Sequence, residues 1–419
     1  MYRVAYAAHT GDLSGPNNSL IELLAGLDRM RFEPVVYFPS PGPAVEEIRL
    51  RAVSCRVIPA HPIQRVRGFR RCPLYLNDLL QCTRALREAL GLDRVDLVHI
   101  NTAVTPYPAL AAWSRRLPIV WHIRESLQPN LVNNGYLLGI NFLATHLIAV
   151  SNAVRGQLIT QAHVPRRKVS VVHNGIDLGR FDSAVKPCRT RAELGLPEGR
   201  LIAVTAFLLP HKGHEVFLEA MNQLVHAWGI VDVVAVLIGD EPSAGGGRFT
   251  RTLQEYCSRH QLTRNVHFLG LRRDVPAVLA HADIVCLPST YPDPLPRAVL
   301  EGMAAGKPVV ASATGGIPEM VEDRRTGILI PPSHPGVLAH SLATLLRDPT
   351  KSQEMGRAGR QRVESEFTAK AHAQKVQGLY ERLLQSTDTK AGSFDNQDPE
   401  YDSRCRGDSN EAAALHRNT

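Results

Sequence analysis

The chain has 419 residues, of which 44% are hydrophobic and 21% charged, and its net charge is +8. That length predicts two or three domains, and that composition excludes wholesale disorder, a collagen-like fibre and a small disulfide-stabilised scaffold. The positive charge is uneven: residues 1–186 carry +9, residues 187–385 carry +2 and residues 386–419 carry −3.

Short apolar runs alternate with amphipathic stretches along most of the chain. In the first half these runs predict seven strands, at Val4–Ala8, Pro34–Phe38, Arg56–Pro59, Val95–Ile100, Ile119–Ile123, His146–Val150 and Val169–Val172. In the second half they predict six more, at Leu201–Thr205, Val231–Ile238, Val266–Leu269, Asp283–Leu287, Pro308–Ala311 and Gly327–Ile330. Strands that are separated by helices and apolar throughout form parallel sheets covered on both faces, so the sequence predicts an α/β fold with two doubly wound domains. The cleft between the domains is the predicted ligand site.

The domain boundaries follow from these two series. Residues 1–182 are predicted to form the first domain and residues 198–366 the second, joined by a Pro- and charge-containing linker at 183–197. Residues 367–385 have helical spacing. The polar tail, residues 386–419, is predicted to be disordered.

The sequence contains no clear pattern for a secretory leader, a membrane-spanning segment or paired cysteines. Met1 leads directly into a predicted strand without a basic and apolar leader, and the best spanning candidate, Leu137–Val154, is interrupted by polar side chains. The seven cysteines are odd in number and form no C-x-x-C pair. This pattern predicts reduced thiols, no metal site and a cytoplasmic protein.

The chemistry of the chain is concentrated between Asp283 and Glu322. Pro296 suits the first turn of a helix that follows a proline-rich loop, which places Asp293 in the loop and Glu301 in the second turn. Both carboxylates can then face a ligand at the helix N-terminus, where free N–H groups favour a phosphate. The alternative is that Asp293 is a loop or cap residue and Glu301 a solvated helix charge.

This block resembles the E-x7-E region of the retaining family-4 glycosyltransferases, which have the GT-B fold. Other segments resemble family motifs in the same order, at residues 13–27, 119–125, 169–177, 210–220, 237–241, 282–289 and 306–319. The resemblance implies two Rossmann-like domains facing across a cleft, with the helix at 367–385 crossing back to the first domain. It also implies transfer of a sugar from a UDP- or GDP-sugar donor, with retention, to a glycan or lipid-linked acceptor in polysaccharide, glycolipid or other glycoconjugate biosynthesis.

The resemblance assigns donor-side roles to individual residues. It implies that Glu301 binds the ribose hydroxyls, that Asp293 contacts the donor sugar and that Lys212 neutralises the diphosphate. Gly15 would let the backbone approach the donor phosphate. The glycine turn at Gly315–Gly316, which also resembles a family motif, follows the site in the chain. The alternative for Lys212 is a solvated helix charge.

Further roles complete the implied site. Leu295 and Pro296 stand in the donor-binding loop where the family has Phe-Gly. His122 would lie near the reacting sugar as a second catalytic residue beside Asp293, or be a packed side chain. Arg124 and Glu125 would shape the acceptor side. The implied scheme needs no metal or other cofactor.

One departure from the family opens a second functional hypothesis. The arginine expected five residues before Lys212 is Phe207, and Arg297, Arg272 and Arg273 are candidates to replace it. The chain is therefore either an active glycosyltransferase or a catalytically weakened GT-B protein that binds a nucleotide sugar or a partner subunit. An epimerase or phosphorylase of the same architecture is less favoured, because no further motifs point to one.

A basic patch in the first domain bears on the acceptor. Arg65, Arg67, Arg70 and Arg71 alternate with apolar residues, which indicates an anionic acceptor or peripheral association with the inner face of an anionic membrane. The alternative is a solvated loop in a chain with 40 Arg and 8 Lys. Nucleic-acid binding is not predicted, because no aromatic–basic interleaving accompanies the patch.

Overall fold

The computed structural model describes residues 1–59, 72–182, 189–241 and 245–392. Within these residues thirteen strands form, one at each predicted position. They are β1 Tyr2–Ala7, β2 Phe32–Phe38, β3 Ser54–Val57, β4 Leu97–Ile100, β5 Ile119–Ile123, β6 His146–Ala149, β7 Val169–Val171, β8 Arg200–Thr205, β9 Val233–Ile238, β10 Val266–Gly270, β11 Ile284–Leu287, β12 Val309–Ser312 and β13 Gly327–Ile330.

Helices connect the strands. They are α1 Gly15–Ala25, α2 Pro43–Arg49, α3 Cys72–Leu92, α4 Tyr107–Ser114, α5 Leu131–Leu143, α6 Asn152–Ala162, α7 Arg191–Leu194, α8 His214–Asn222, α9 Arg248–Arg259, α10 Val275–Ala280, α11 Arg297–Ala304, α12 Ile317–Met320, α13 Pro335–Arg347, α14 Pro349–Glu366 and α15 Ala369–Gly392.

The strands form two parallel sheets, which confirms the predicted pair of doubly wound α/β domains. The first sheet has the order β3-β2-β1-β4-β5-β6-β7 and the second the order β10-β9-β8-β11-β12-β13. Strands such as β4, β5, β11 and β12 are buried along their whole length. Continuous burial explains why these strands read as unbroken apolar runs rather than as alternating patterns.

The helix α15 crosses back and packs against the first domain. The backbone N–H of Ile176 donates to the carbonyl of Phe367 at 2.8 Å, and the N–H of Ala369 donates to the carbonyl of Ile176 at 3.0 Å. From there Val376 and Tyr380 pack into the core formed by α1, α2 and the strands β1 and β2.

Two predicted boundaries differ from the structure. Residues 183–188 lie outside the described part, but the rest of the predicted linker belongs to the second domain. Thr190 and Glu193 form a capping box that begins α7, and Leu194 and Leu196 are buried. The crossing helix also continues beyond residue 385 to Gly392, because no proline or glycine interrupts it after Gly378. Residues 393–419 lie outside the described part.

Candidate active site

Residues that follow the carboxyl ends of strands in both sheets meet at the domain boundary. Ser151 follows β6 of the first sheet, and Gly316 follows β12 of the second. A Cβ built on Gly316 would lie 2.9 Å from the Cβ of Ser151. Because parallel sheets bind ligands at this edge, the boundary is the candidate site.

An ion pair between Lys212 and Asp293 lies in the second domain's part of the site. Lys212 Nζ donates to Asp293 Oδ2, and Asp293 is buried. The next residue, Gly213, has φ +77°, and a side chain there would collide with the carbonyl of Pro288. Only glycine fits that position without strain. The glycine therefore holds Lys212 beside the loop that carries Asp293.

The turn at Gly315–Gly316 supports the same loop from the other side. Gly315 has φ +60°, and the N–H of Gly316 donates to the carbonyl of Asp293 at 2.8 Å. Side chains at either glycine would collide with the backbone of Asp293 or Pro294. The tight turn predicted here thus fixes the position of the Asp293 carboxylate.

A buried ion-pair network joins α11 to α1 of the first domain. Arg297 Nη1 and Nη2 each donate to a carboxylate oxygen of Glu22 at 2.8 Å, and Nη2 lies 3.4 Å from Glu301 Oε1. Burial opposes the charge of Arg297, but Glu22 and Glu301 outweigh it and raise the pKa of Arg297 above its usual value. Arg297 therefore orients Glu301 while it bridges the two domains.

A second contact across the boundary is made by Glu319 in α12. Its carboxylate accepts from the backbone N–H groups of Asn152 at 2.8 Å and Ala153 at 3.0 Å, which open helix α6 of the first domain. His173 Nε2 lies 2.9 Å from the same carboxylate. Burial would raise the pKa of Glu319, but these hydrogen bonds lower it below its usual value. Glu319 thus caps a helix of the other domain.

His122 lies in a packed cluster of three histidines. Its side chain is fully buried, its Nδ1 lies 3.2 Å from Arg124 Nη2, and its ring contacts His99 and His372. Because α15 covers this face of β5, His122 is not open to a ligand in the structure. The structure therefore describes His122 as a packed side chain, and its role at the reacting sugar stays a prediction.

Arg124 and Glu125 are also held by the protein itself. The Nε of Arg124 donates to the carbonyl and side-chain oxygen of Asn101, each at 3.1 Å, and Nη1 donates to Asn174 Oδ1. Glu125 accepts from the backbone N–H groups of Ala103 at 2.9 Å and Arg124 at 3.1 Å. Asn101 in turn donates to the carbonyl of Pro16 at 3.0 Å. Arg124 therefore ties β5 to the beginning of α1 rather than lining an open acceptor surface.

The remaining predicted donor residues differ in exposure. Gly15 opens α1, is exposed and has open space where a Cβ would be, which suits close approach by a ligand. Leu295 and Pro296 are buried beneath the site, and Pro296 is the N-cap of α11 rather than part of its first turn. Phe207 is exposed in the loop after β8.

The candidate replacements for the missing arginine are mostly occupied. Arg297 is paired as described, and Arg272 donates to both carboxylate oxygens of Asp274 at 2.8 Å. Arg273 is exposed and forms no ion pair within the described part of the chain.

The predicted basic patch, Arg65, Arg67, Arg70 and Arg71, lies outside the described residues. In the part of the chain that the structure covers, no group of three or more His, Cys, Asp or Glu side chains is arranged to hold a metal ion. The described helices include none that is both long and apolar enough to cross a membrane.

The sequence did not predict two residues of the site, Glu22 and Glu319. Glu22 lies in the apolar run SLIELL, and a carboxylate within such a run is a signal for a buried partner. Glu319 is the last residue of the segment 306–319 that resembles a family motif. Nothing in its local sequence indicates that it caps a helix of the other domain.

Comparison with known proteins matches both halves of the chain. The family described as Glycosyltransferase Family 4 matches residues 13–180, and the family described as Glycosyl transferases group 1 matches residues 189–362. A solved structure of Anabaena HepE in complex with UDP and glucose superposes with a TM-score of 0.78 at 25% identity, covering 91% of this chain and 100% of that chain.

Curated relatives cover less of the chain. A D-inositol 3-phosphate glycosyltransferase of Streptomyces avermitilis is 32% identical over 53% of this chain and 48% of the relative. A GDP-mannose-dependent monoacylated alpha-(1-6)-phosphatidylinositol monomannoside mannosyltransferase of Corynebacterium glutamicum is 32% identical over 46% of this chain and 51% of the relative. The matches thus span about half the length of these relatives. With two family matches in the expected order on a two-sheet GT-B fold, the chain belongs to the family-4 type of glycosyltransferases.

Proposed function

We propose that the protein transfers a sugar from a nucleoside diphosphate sugar to an acceptor. The Lys212–Asp293 pair carries this proposal, because it places a cation and a carboxylate beside α11, the helix that bears Glu301. The solved neighbour is in complex with UDP and glucose, and one relative is named as GDP-mannose-dependent. These names support a UDP- or GDP-sugar donor.

The donor side would act by stabilising the leaving diphosphate. As the sugar departs, negative charge builds on the diphosphate, and Lys212 would exchange Asp293 for a phosphate oxygen. The open backbone at Gly15 would allow the phosphates to approach α1. Glu301, oriented by Arg297, would accept hydrogen bonds from the ribose hydroxyls. In this scheme the acceptor hydroxyl would attack the anomeric carbon from the face that the diphosphate leaves, and its proton would pass to the diphosphate. The anomeric configuration would be retained, and no metal would be used.

The acceptor is proposed to be a glycan or a lipid-linked group. Relatives named for inositol phosphate and for a phosphatidylinositol mannoside support an acceptor of that chemistry. In polysaccharide, glycolipid or related glycoconjugate synthesis, such an enzyme would work in the cytoplasm, at the inner face of the membrane.

A donor screen tests the proposal. Nucleoside diphosphate release is measured with UDP- and GDP-sugars and candidate acceptors, in the wild type, Lys212→Ala and Glu301→Ala. Because each variant removes a charged contact to the donor, we expect release to fall by about 100-fold or more. Lys351→Ala, at an exposed lysine of α14, serves as the control and keeps the wild-type rate. Melting temperatures establish that the variants fold.

One observation favours a second function, a GT-B protein that binds a nucleotide sugar without turning it over. Phe207 stands where the family has a diphosphate arginine, and both Arg297 and Arg272 are paired with carboxylates. Calorimetric titration with UDP and GDP separates the two functions. Tight binding without release across the acceptors would support the weakened protein and contradict the enzyme.

A further inference from the structure

We propose that helix α5 docks the protein on an anionic lipid bilayer through an apolar face that the fold leaves uncovered. The inference rests on the proposed function, because it identifies the surface from which a lipid-linked acceptor would reach the cleft. It uses residues of the first domain that have no part in the donor site.

The apolar face runs the full length of α5. Leu131, Val132, Leu138 and Phe142 are 93%, 80%, 48% and 76% exposed, and the spacing places them along one side of the helix. Gly135 and Gly139, also exposed, lie between them. The opposite side is anchored in the core by Leu137 and Ile140. The helix contains no charged residue.

The chain segment that contains this face carries positive charge and no carboxylate of its own. Residues 126–176, which span α5 and α6, contain no Asp or Glu and four cations, namely Arg155, Arg166, Arg167 and Lys168. Lys168 Nζ donates to the carbonyl of Asn141, so the basic turn Arg166–Lys168 lies at the carboxyl-terminal end of α5, the end that carries Phe142. Arg166 and Arg167 are exposed, and neither forms an ion pair with another described residue.

This combination fits an anionic bilayer better than another protein surface. Helices that lie in a membrane interface have one apolar face bordered by Lys and Arg, and anionic headgroups attract those cations. A protein partner could also cover the apolar face, but it would not explain why residues 126–176 contain no Asp or Glu. At 13 residues, α5 is shorter than the roughly 20 needed to cross a bilayer, so it would lie on the surface.

The position of α5 connects the membrane to the site. The helix begins at Leu131, six residues after Glu125, which follows the carboxyl end of β5. Its most exposed apolar residues, Leu131 and Val132, are in the first turn, at the end of the helix nearest the cleft. A headgroup held at this end would enter the cleft without leaving the bilayer.

Vesicle flotation tests the inference. The full chain is mixed with phosphatidylcholine vesicles that contain or lack phosphatidylglycerol. We expect binding to the anionic vesicles, and a loss of about tenfold or more in the double variant Leu131→Asp/Phe142→Asp, because its apolar face can no longer enter the interface. The control is Val231→Asp, which changes a 70% exposed apolar residue of the second domain and keeps wild-type binding.

A second variant separates the contribution of positive charge to vesicle binding from that of the apolar face. We expect Arg166→Gln/Arg167→Gln to weaken binding to anionic vesicles and to reduce its salt dependence, with little effect on phosphatidylcholine alone. Failure of the wild type to float would overturn the inference. So would unchanged flotation of the α5 variant, which would assign binding elsewhere, for example to residues 61–72.

The remaining outcome is a protein partner. If light scattering shows a dimer that the α5 variant loses, and vesicles do not bind, then α5 is an interface between copies and the inference is wrong. Nucleoside diphosphate release with a water-soluble acceptor is measured in the same variants. If the wild type releases no nucleoside diphosphate, the proposed function is contradicted. If the wild type releases nucleoside diphosphate but does not float with vesicles, only the membrane inference is contradicted.

Discussion

Phe207 marks the strongest departure of the donor site from its family. Its side chain is 37% exposed in the loop after β8, so it is not a core residue. Leu208, the next residue, is buried and its N–H donates to the carbonyl of Asp240 at 3.0 Å, which fixes the loop. Arg297 and Arg272 are engaged by carboxylates, and Lys212 would have to leave Asp293 to contact a diphosphate.

Phe207→Arg is therefore expected to strengthen donor binding. A new charge-assisted hydrogen bond to phosphate, worth about 1.5 kcal/mol, corresponds to about a tenfold lower Kd for UDP or GDP. Calorimetric titration measures the change. Because the side chain is exposed, the melting temperature is expected to stay near the wild-type value.

Phe207→Gln controls for removal of the aromatic ring without adding charge. Equal affinities in the Arg and Gln variants would show that residue 207 does not face the diphosphate. In that case the departure from the family pattern would have no bearing on the donor, and the weakened-protein hypothesis would lose its main support.

The contact between helices α1 and α11 connects donor binding to domain arrangement. Glu22 and Arg297 form a bidentate pair, and their side chains are 4% and 10% exposed. Two charges removed from water are stable together only while both partners remain. The same guanidinium reaches Glu301, so a change in α1 is transmitted to the residue proposed to bind the ribose.

Glu22→Gln is expected to destabilise the protein and weaken donor binding together. Leaving Arg297 without its buried partner should lower the free energy of unfolding by about 3 kcal/mol. Urea denaturation and calorimetric titration measure the two effects. Glu47→Gln is the matched control, because its pair with Arg51 is exposed and worth less than about 1 kcal/mol. Equal stability of the two variants would contradict a bridging role for Glu22.

Local patterns predicted the strands and the loop–helix segments of the site, but not the contacts between domains. Apolar runs are set by burial within one sheet, and the D-P-L-P loop with its helix is a local feature. Glu22 and Arg297 are separated by 275 residues, and Glu319 and Asn152 by 167. Such pairs depend on how the domains pack, which no local pattern encodes. For the same reason the sequence left two roles open for His122, and only the packing of α15 shows that its side chain is buried.

Among the described residues, three of the contacts between the two domains bear on how the cleft opens. Glu22–Arg297 and the Glu319 cap of α6 cross the cleft, whereas Ile176 and Phe367 join the chain segments at which α15 returns. Opening of the cleft must break the first two, while the third can act as the hinge. The Glu22–Arg297 pair and the Glu319 cap keep the domains closed, so the proposed donor could enter the cleft only when these contacts break.

A buried histidine cluster fastens α15 to the first domain. His372 of α15 contacts the ring of His122, and Tyr380 Oη of the same helix lies 2.7 Å from His99 Nδ1. Burial lowers the pKa of all three imidazoles, with Arg124 as a further cause, and the pKa of His372 falls to about 3. The three rings are therefore neutral in the folded protein near neutral pH.

Acid is thus expected to weaken the attachment of α15. The unfolded chain binds protons to these imidazoles below about pH 6.5, whereas the folded protein does so only at much lower pH. Their contribution to stability is complete above about pH 6.5 and is lost as the pH falls toward the folded pKa. His372, with a folded pKa of about 3, should remove about 2 kcal/mol from the free energy of unfolding between about pH 6.5 and pH 5, and the other two imidazoles act in the same direction.

The variant His372→Gln isolates the contribution of His372 to the pH dependence of the free energy of unfolding. The free energy of unfolding is measured by urea denaturation across that interval, in the wild type and the variant. Because glutamine does not titrate, the variant should lose about 2 kcal/mol less than the wild type between the two ends of the range. Its absolute stability can fall through altered packing, but that change is the same at every pH. A decline as steep as in the wild type would show that His372 does not titrate differently in the folded and unfolded states, and acid would then act on the protein without loosening α15.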